Sequence, residues 1–202
     1  MVGDRSSWPP EVFDRLYARD PDPWGFHTSQ YERDKYAATL AALPPGRFAA
    51  GFEVGCSIGV LTRLLAARCD ALLSVDVSEA ALAAARDNCA GLPHVELRRL
   101  HIPAEWPPGT FEPGTFDLIV LSEVLYFLGP EDLAATARLA AASLAPGGVA
   151  LLVNWTGPTN SPCTGDEAAG LFIAEAGAAA GLTPPLQRRE AQYRLDLLRR
   201  DC

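Results

Sequence analysis

The sequence predicts a single α/β domain built on an open, doubly wound (Rossmann-like), mostly parallel sheet. Three observations carry that expectation. Apolar strand-like segments recur at a steady interval with helix-like segments between them, which is the signature of βαβ units. The Val/Leu/Ile runs at 72, 118 and 149 are continuous rather than alternating, as strands buried on both faces require. At 202 residues, the chain suits one well-filled core and is short for two ordinary enzyme domains.

Taken in order, 50–54 reads as the first strand, 72–77 as the second and 95–98 as the third. Residues 116–121 and 149–153 follow as the fourth and fifth. Between them, 59–68 has apolar residues at 60, 61, 64 and 65, on one helical face. The segment 79–90 follows Ser78, a good N-cap, and 131–144 runs toward Pro146-Gly147-Gly148, a strong stop. Crossovers in such units are right-handed, and ligands bind beyond the carboxyl ends of the strands. Upstream, 11–19 and 29–43 read as two helices joined by Asp20-Pro21-Asp22-Pro23-Trp24-Gly25. Residues 1–45 are therefore expected as a helical region in front of a core spanning 46–202. Downstream, 166–181 reads as a helix, and 186–191 with 193–198 as an antiparallel terminal hairpin. A tandem repeat, Pro107-Pro108-Gly109-Thr110-Phe111 then Glu112-Pro113-Gly114-Thr115-Phe116, enters the fourth strand as a tolerated loop duplication.

Composition excludes several functions. The formal charge of −8 opposes nucleic-acid binding, which needs clustered Lys and Arg to neutralise phosphates. The pairs Arg98-Arg99, Arg188-Arg189 and Arg199-Arg200 lie in or beside strands and read as solvated strand edges. Five scattered cysteines without a C-x-x-C pair suit reduced thiols. With three histidines at 27, 94 and 101, none at ligand spacing, no metal site is expected. The first ten residues hold no signal-peptide core, and no apolar run is long enough to span a membrane. These features place the chain in the cytoplasm, away from membranes.

Four segments carry chemistry. In Phe52-Glu53-Val54-Gly55-Cys56-Ser57-Ile58-Gly59, an acid at a strand end meets a tight small-residue turn that opens a helix. Its glycines are four apart, unlike the G-x-G-x-x-G of a dinucleotide site. An acid before the turn also suits a cationic amino-acid group better than a pyrophosphate. Asp76, at the end of the second strand, is placed to accept the two hydroxyls of a ribose, in competition with a helix-capping role. The loop Leu100-His101-Ile102-Pro103 lines the region where a base would sit, with His101 equally suited to a packing role. After the fourth strand, Ser122-Glu123-Val124-Leu125-Tyr126 offers a carboxylate and a phenol to orient or deprotonate an acceptor. Capping by Glu123 and core packing by Tyr126 are the ordinary alternatives.

In this order the segments resemble the class I S-adenosylmethionine-dependent methyltransferases, and more narrowly the nodulation protein S-like family. The resemblance rests on Asp22-Pro23-Trp24, Tyr31-Glu32-Arg33, Glu53-Val54-Gly55-Cys56 with Gly59, and Asp76. It continues through 116–120, 122–126 and Leu144-Ala145-Pro146-Gly147-Gly148, covering about residues 20–155. It implies S-adenosylmethionine as cofactor, leaving as S-adenosylhomocysteine. The cofactor-facing positions it implies are Trp24, Tyr31, Glu53, Gly55, Cys56, Ser57, Gly59, Asp76, Val77, His101, Ile102 and Ser122. Glu123 and Tyr126 are the catalytic candidates, and the stretch from Trp24 to Tyr31 is a lid. The family's namesake N-methylates a free amino sugar on a chitooligosaccharide, so a small-molecule amine on a sugar is the expected acceptor, handled by a monomer or homodimer. Two departures stand out. Ser57 occupies a position that is usually glycine, and His101 one where many members carry an acid. The polar loop after the fifth strand adds Trp155 as a sugar-stacking candidate, with Asp166 or Glu167 to hold hydroxyls or an amine. O-methylation of a secondary metabolite, a non-catalytic cofactor-binding protein and an NAD-linked oxidoreductase are the competing readings; the glycine spacing speaks against the last.

Overall fold

The protein is described here by a computed structural model, over residues 5–107 and 114–201. Most of the repeated loop, 108–113, lies outside the described residues. Among the described residues, six α-helices and seven strands follow one another as α1 (Pro10–Arg19), α2 (Gln30–Ala42), β1 (Phe48–Val54), α3 (Val60–Ala66), β2 (Cys69–Asp76), α4 (Glu79–Asn88) and β3 (Val95–Arg99), then β4 (Phe116–Ser122), α5 (Pro130–Ser143), β5 (Leu144–Trp155), α6 (Gly165–Ala180), β6 (Thr183–Arg189) and β7 (Tyr193–Arg199). The sheet is mostly parallel with an antiparallel carboxyl-terminal pair, the doubly wound class expected. The chain divides into two compact units, Pro9–His101 and the remainder.

In the unit Pro9–His101, the strands run β3-β2-β1, all parallel. Phe52, Leu72 and Val75 are buried in its core. The front helices belong to this unit. Helix α1 starts at Pro10, whose fixed φ suits a first helical turn. It docks through Tyr17 onto Ile58 and Ala81, with Phe13, Phe26, Val60 and Ala84 packed around them. Helix α2 is capped by Ser29, which accepts the Glu32 N–H at 3.3 Å, and stops before Pro44-Pro45. The edge strand β3 is charged, with Arg98 Nε donating to Glu96 at 2.6 Å. Charges along an edge strand guard it against pairing with another chain.

In the second unit the order is β4-β5-β7-β6, with β4 and β5 parallel and β7 antiparallel to both neighbours. Leu118, Ile119, Val120, Leu121, Leu151 and Leu152 are wholly buried, which explains the unbroken apolar runs. Helix α6 opens with a capping box between Thr164 and Glu167. Three boundaries differ from the sequence reading by three residues or more. β2 begins at Cys69 and β6 at Thr183, the latter on an edge that tolerates Pro184 and Pro185. β5 begins at Leu144, running through Pro146-Gly147-Gly148 instead of after it. A short 3-10 turn, Leu125–Phe127, also follows β4 where the sequence showed only a motif.

Candidate functional site

The carboxyl ends of β1 and β2 are tied into one polar cluster. Gly55 and Cys56 both donate their N–H to the Val75 carbonyl, at 2.8 and 2.9 Å, which folds the loop back across the end of β2. Gly59 ends the turn at φ +81, and a Cβ there would meet the α4 backbone at Ala85 at 3.0 Å. Only glycine satisfies both demands. Ser57 also has a positive φ, +50, although it carries a side chain.

Glu53 is 2% exposed. Its Oε2 accepts from Thr62 Oγ1 at 2.6 Å and Ser74 Oγ at 2.7 Å, so it braces β1 against α3 and β2. Burial pushes its carboxyl up to about 7, against those two hydrogen bonds, and the Asp76 charge adds to the rise. Asp76 is a junction. Its Oδ2 accepts the Ser57 N–H at 2.8 Å and its Oδ1 the Ser78 N–H at 2.9 Å. Burial raises its carboxyl above the ordinary value, while N–H donors from Ser78, Ser57 and Val77 oppose the rise. A carboxylate offers about four lone-pair directions, so the short Ser57 and Ser78 bonds, even with the Val77 N–H beside them, leave an acceptor direction for a ribose hydroxyl. Val77 follows it, half-buried, and Cys56 is buried beneath the loop.

The front segment closes on the same loop. The Tyr17 hydroxyl lies 2.5 Å from Ser57 Oγ. Asn88 Nδ2 donates to the Ile58 carbonyl at 2.7 Å and lies 3.2 Å from His27 Nε2. Trp24 sits edge-on to Tyr17, ring centroids 5.6 Å apart, and is 39% exposed. Its loop is shaped by Asp22, whose carboxylate accepts the Phe26 and His27 N–H groups at 2.8 and 3.0 Å. Tyr31 lies on α2 with the Lys35 ammonium 5.1 Å from its ring centroid. Lys35 is 3% exposed and pairs with Glu32, itself 7% exposed, at 3.0 Å. His101 is half-buried at the end of this unit.

The remaining candidates lie in the second unit. Ile102 is buried. Ser122 ends β4, and Glu123 follows at φ +59. Glu123 Oε2 accepts from the Tyr126 hydroxyl at 2.7 Å and from the Trp155 N–H at 3.0 Å, while its own N–H donates to the Val153 carbonyl at 2.8 Å. The carboxylate is thereby held at the ends of β4 and β5. Asn154 is wholly buried, with neither amide atom hydrogen-bonded among the described residues. Asp166 and Glu167 serve the scaffold. Asp166 receives Arg189 and Arg194, and Glu167 caps α6. Among the described residues, no cluster of metal-ligand type is present and no helix is long and apolar enough to cross a membrane.

The methyltransferase domain family matches residues 52–148, the stretch that holds the loop, Asp76 and Glu123. A protein of known structure from Pseudomonas syringae, assigned as a methyltransferase, is 35% identical. The match covers 85% of this chain and 100% of that one, with a TM-score of 0.71. The chain belongs to the class I S-adenosylmethionine-dependent methyltransferases. Among them it is similar to nodulation protein S. The nodulation protein S of Rhizobium tropici is 35% identical over 149 residues, 68% of this chain and 56% of that one. The chain spans about half the length of the curated relatives it matches. The N-methyltransferase NodS of Bradyrhizobium japonicum WM9, solved with S-adenosyl-L-homocysteine, shares the fold at 24% identity, a TM-score of 0.77, and 94% and 97% coverage.

For this methyltransferase, sequence reasoning missed Tyr17, Thr62, Ser74 and Asn88. Each acts through a partner on another element, 9 to 40 residues away, and no local pattern announces it. The Ser57 hydroxyl, where glycine is usual, was the one available signal for Tyr17.

Proposed function

We propose that the protein moves a methyl group from S-adenosylmethionine to a small-molecule amine, on a sugar or sugar-containing metabolite, in the cytoplasm and as a monomer or homodimer. The observation that carries the cofactor assignment is Asp76, half-buried and fixed by two N–H donors, with an acceptor direction left for a ribose hydroxyl. The loop from Gly55 to Gly59 fits a compact nucleoside because the Gly55 and Cys56 N–H bonds to Val75 fold it tightly back across the end of β2. Glu53 acts beneath it, holding the turn in shape through Thr62 and Ser74. Trp24 and Tyr31, with Cys56, Val77, His101, Ile102 and Ser122, are assigned to the cofactor's surroundings on the family resemblance.

When bound, the cofactor supplies an electrophilic methyl group on a sulfonium. The chain's part is alignment, exclusion of water and care of one proton. Glu123 is held by Tyr126 and by the Trp155 N–H, which fixes its carboxylate before any acceptor arrives. An ammonium would be drawn to that carboxylate and give up its proton to it before the nitrogen attacks. Tyr126, donating to Glu123, turns an accepting oxygen to the same amine. Two acceptors in one place favour an amine, which has protons to give, over an ether-forming hydroxyl.

Calorimetric titration with S-adenosylmethionine and S-adenosylhomocysteine tests the cofactor assignment, with NAD as control. Micromolar binding of either, weakened at least about tenfold in Asp76→Ala and absent for NAD, is the expected result. Binding that ignores Asp76→Ala overturns it. Turnover on amino sugars, compared with hydroxyl-only acceptors, then separates N-methylation from O-methylation and from a protein that binds cofactor without using it.

A further inference from the structure

We propose that Tyr17 is a positioning residue for the cofactor loop, coupling the docking of helix α1 to occupation of Asp76 by a nucleoside ribose. The inference rests on the cofactor reading above and adds a residue that the reading does not contain.

Two bonds meet at Ser57. Its side-chain oxygen is held by the Tyr17 hydroxyl at 2.5 Å, and its backbone N–H is held by Asp76 Oδ2 at 2.8 Å. One residue thus takes a contact from α1 on one side and from the Asp76 carboxylate on the other. Ser57 lies at φ +50, a conformation that costs a residue with a side chain about 1 kcal/mol. A glycine would avoid that cost but offer α1 nothing to hold. The hydroxyl is the handle.

Tyr17 is built to keep its position. It is 7% exposed, with its ring against Ile58 and Ala81 and Phe13, Phe26, Val60 and Ala84 around them. Trp24 closes on its edge. A second tie runs beside the first, from Asn88 to the Ile58 carbonyl with His27 next to it, so consecutive loop residues are both gripped. Burial and the Asp76 charge push the phenol well above its ordinary range, so the hydroxyl keeps its proton throughout the neutral range. Coupling between two such contacts is reciprocal: whatever α1 docking adds to cofactor affinity, the cofactor adds to α1 docking.

The test is a double-mutant cycle of Tyr17→Phe and Ser57→Ala. Each variant removes one hydroxyl while keeping the ring or the left-handed backbone. S-adenosylhomocysteine binding is measured by calorimetry, and amide exchange over residues 10–19 is measured with and without that ligand. Each single variant should weaken binding roughly three- to tenfold. The double variant should be no worse than either single one. The ligand should slow exchange over 10–19 in the wild type and much less in the variants. A merely structural tyrosine would change exchange equally with and without ligand. Variants that bind as the wild type does, additive losses, or undiminished ligand-dependent protection would each overturn the proposal. Should Tyr17→Phe fail to fold, Ser57→Ala reads the same bond from its other end. A wild type that binds no S-adenosylhomocysteine overturns the cofactor reading and this proposal together, whereas binding with indifferent variants overturns this proposal alone.

Discussion

Ser57 and Glu123 share a backbone geometry usually left to glycine, and both sit just past the end of a parallel strand. Each offsets that cost with a side chain that reaches a partner, Tyr17 for Ser57 and Tyr126 for Glu123. Glu53 makes a measurable prediction at this scale. Its folded-state value of about 7 lies above the ordinary 4.5, raised by burial. The folded protein therefore binds more protons than the unfolded chain between those values. This contribution is fully present below about pH 4.5 and is lost as pH rises through 7, a change on the order of 3 kcal/mol. Glu53→Gln, which keeps an acceptor for Thr62 and Ser74, should flatten the fall in melting temperature between pH 5 and 8 and leave the variant more stable at pH 8. A wild-type melting temperature that rises over that interval would contradict the burial argument. The acids at strand ends were legible in the sequence because strand ends are legible. Tyr17 was not, because its partner lies 40 residues away and is met only once α1 has docked.

At the scale of elements, helix α6 carries a contrast between two glycines. A Cβ on Gly165 would lie 1.9 Å from the Trp155 carbonyl oxygen, whereas at Gly170 it would meet nothing within 4 Å. Gly165→Ala must push the helix start off the end of β5 and should cost about 1–3 kcal/mol in urea unfolding. Gly170→Ala, in the same helix, should instead stabilise by about 0.5–1 kcal/mol. Equal effects at the two positions would mean that the close approach is not real. Element type was read from the chain with success, but boundaries were misplaced where neighbours decide them. Pro146-Gly147-Gly148 has the chemistry of a helix stop and a turn. Yet Gly147 donates to the Arg200 carbonyl at 2.9 Å, and the Gly148 carbonyl accepts from Arg200 at 3.0 Å. The missing proline N–H falls where the β4–β5 register shifts between Phe116 and Leu118, so the strand tolerates it. No local pattern contains Arg200.

For the molecule as a whole, the alternation of strand and helix was enough to identify the class of fold, since periodicity survives without knowledge of contacts. The division at His101 and the ties within each unit were not, because they depend on which surfaces meet. The terminal hairpin shows how much of the fold is secured late in the chain. β7 lies between β5 and β6, and Tyr193, Leu195, Leu197 and Leu198 are buried on it. Four such side chains contribute roughly 6–12 kcal/mol, comparable to the whole stability of a domain. Deleting residues 183–201 should abolish the cooperative unfolding transition and leave a chain that aggregates through the bared β5 edge. A truncated protein that still melts in one sharp step would show that the hairpin is an accessory rather than part of the core.

The Glu32–Lys35 pair on α2 has a practical consequence. Lys35 is the chain's only lysine, and it is 3% exposed. In most proteins an acylating reagent decorates a surface covered in amines. Here its single side-chain target is hidden in a helix of the front segment. The rate at which Lys35 is acylated, read by peptide mapping, therefore counts the openings of α2, and slower labelling upon addition of a ligand would time that helix closing without any engineered probe.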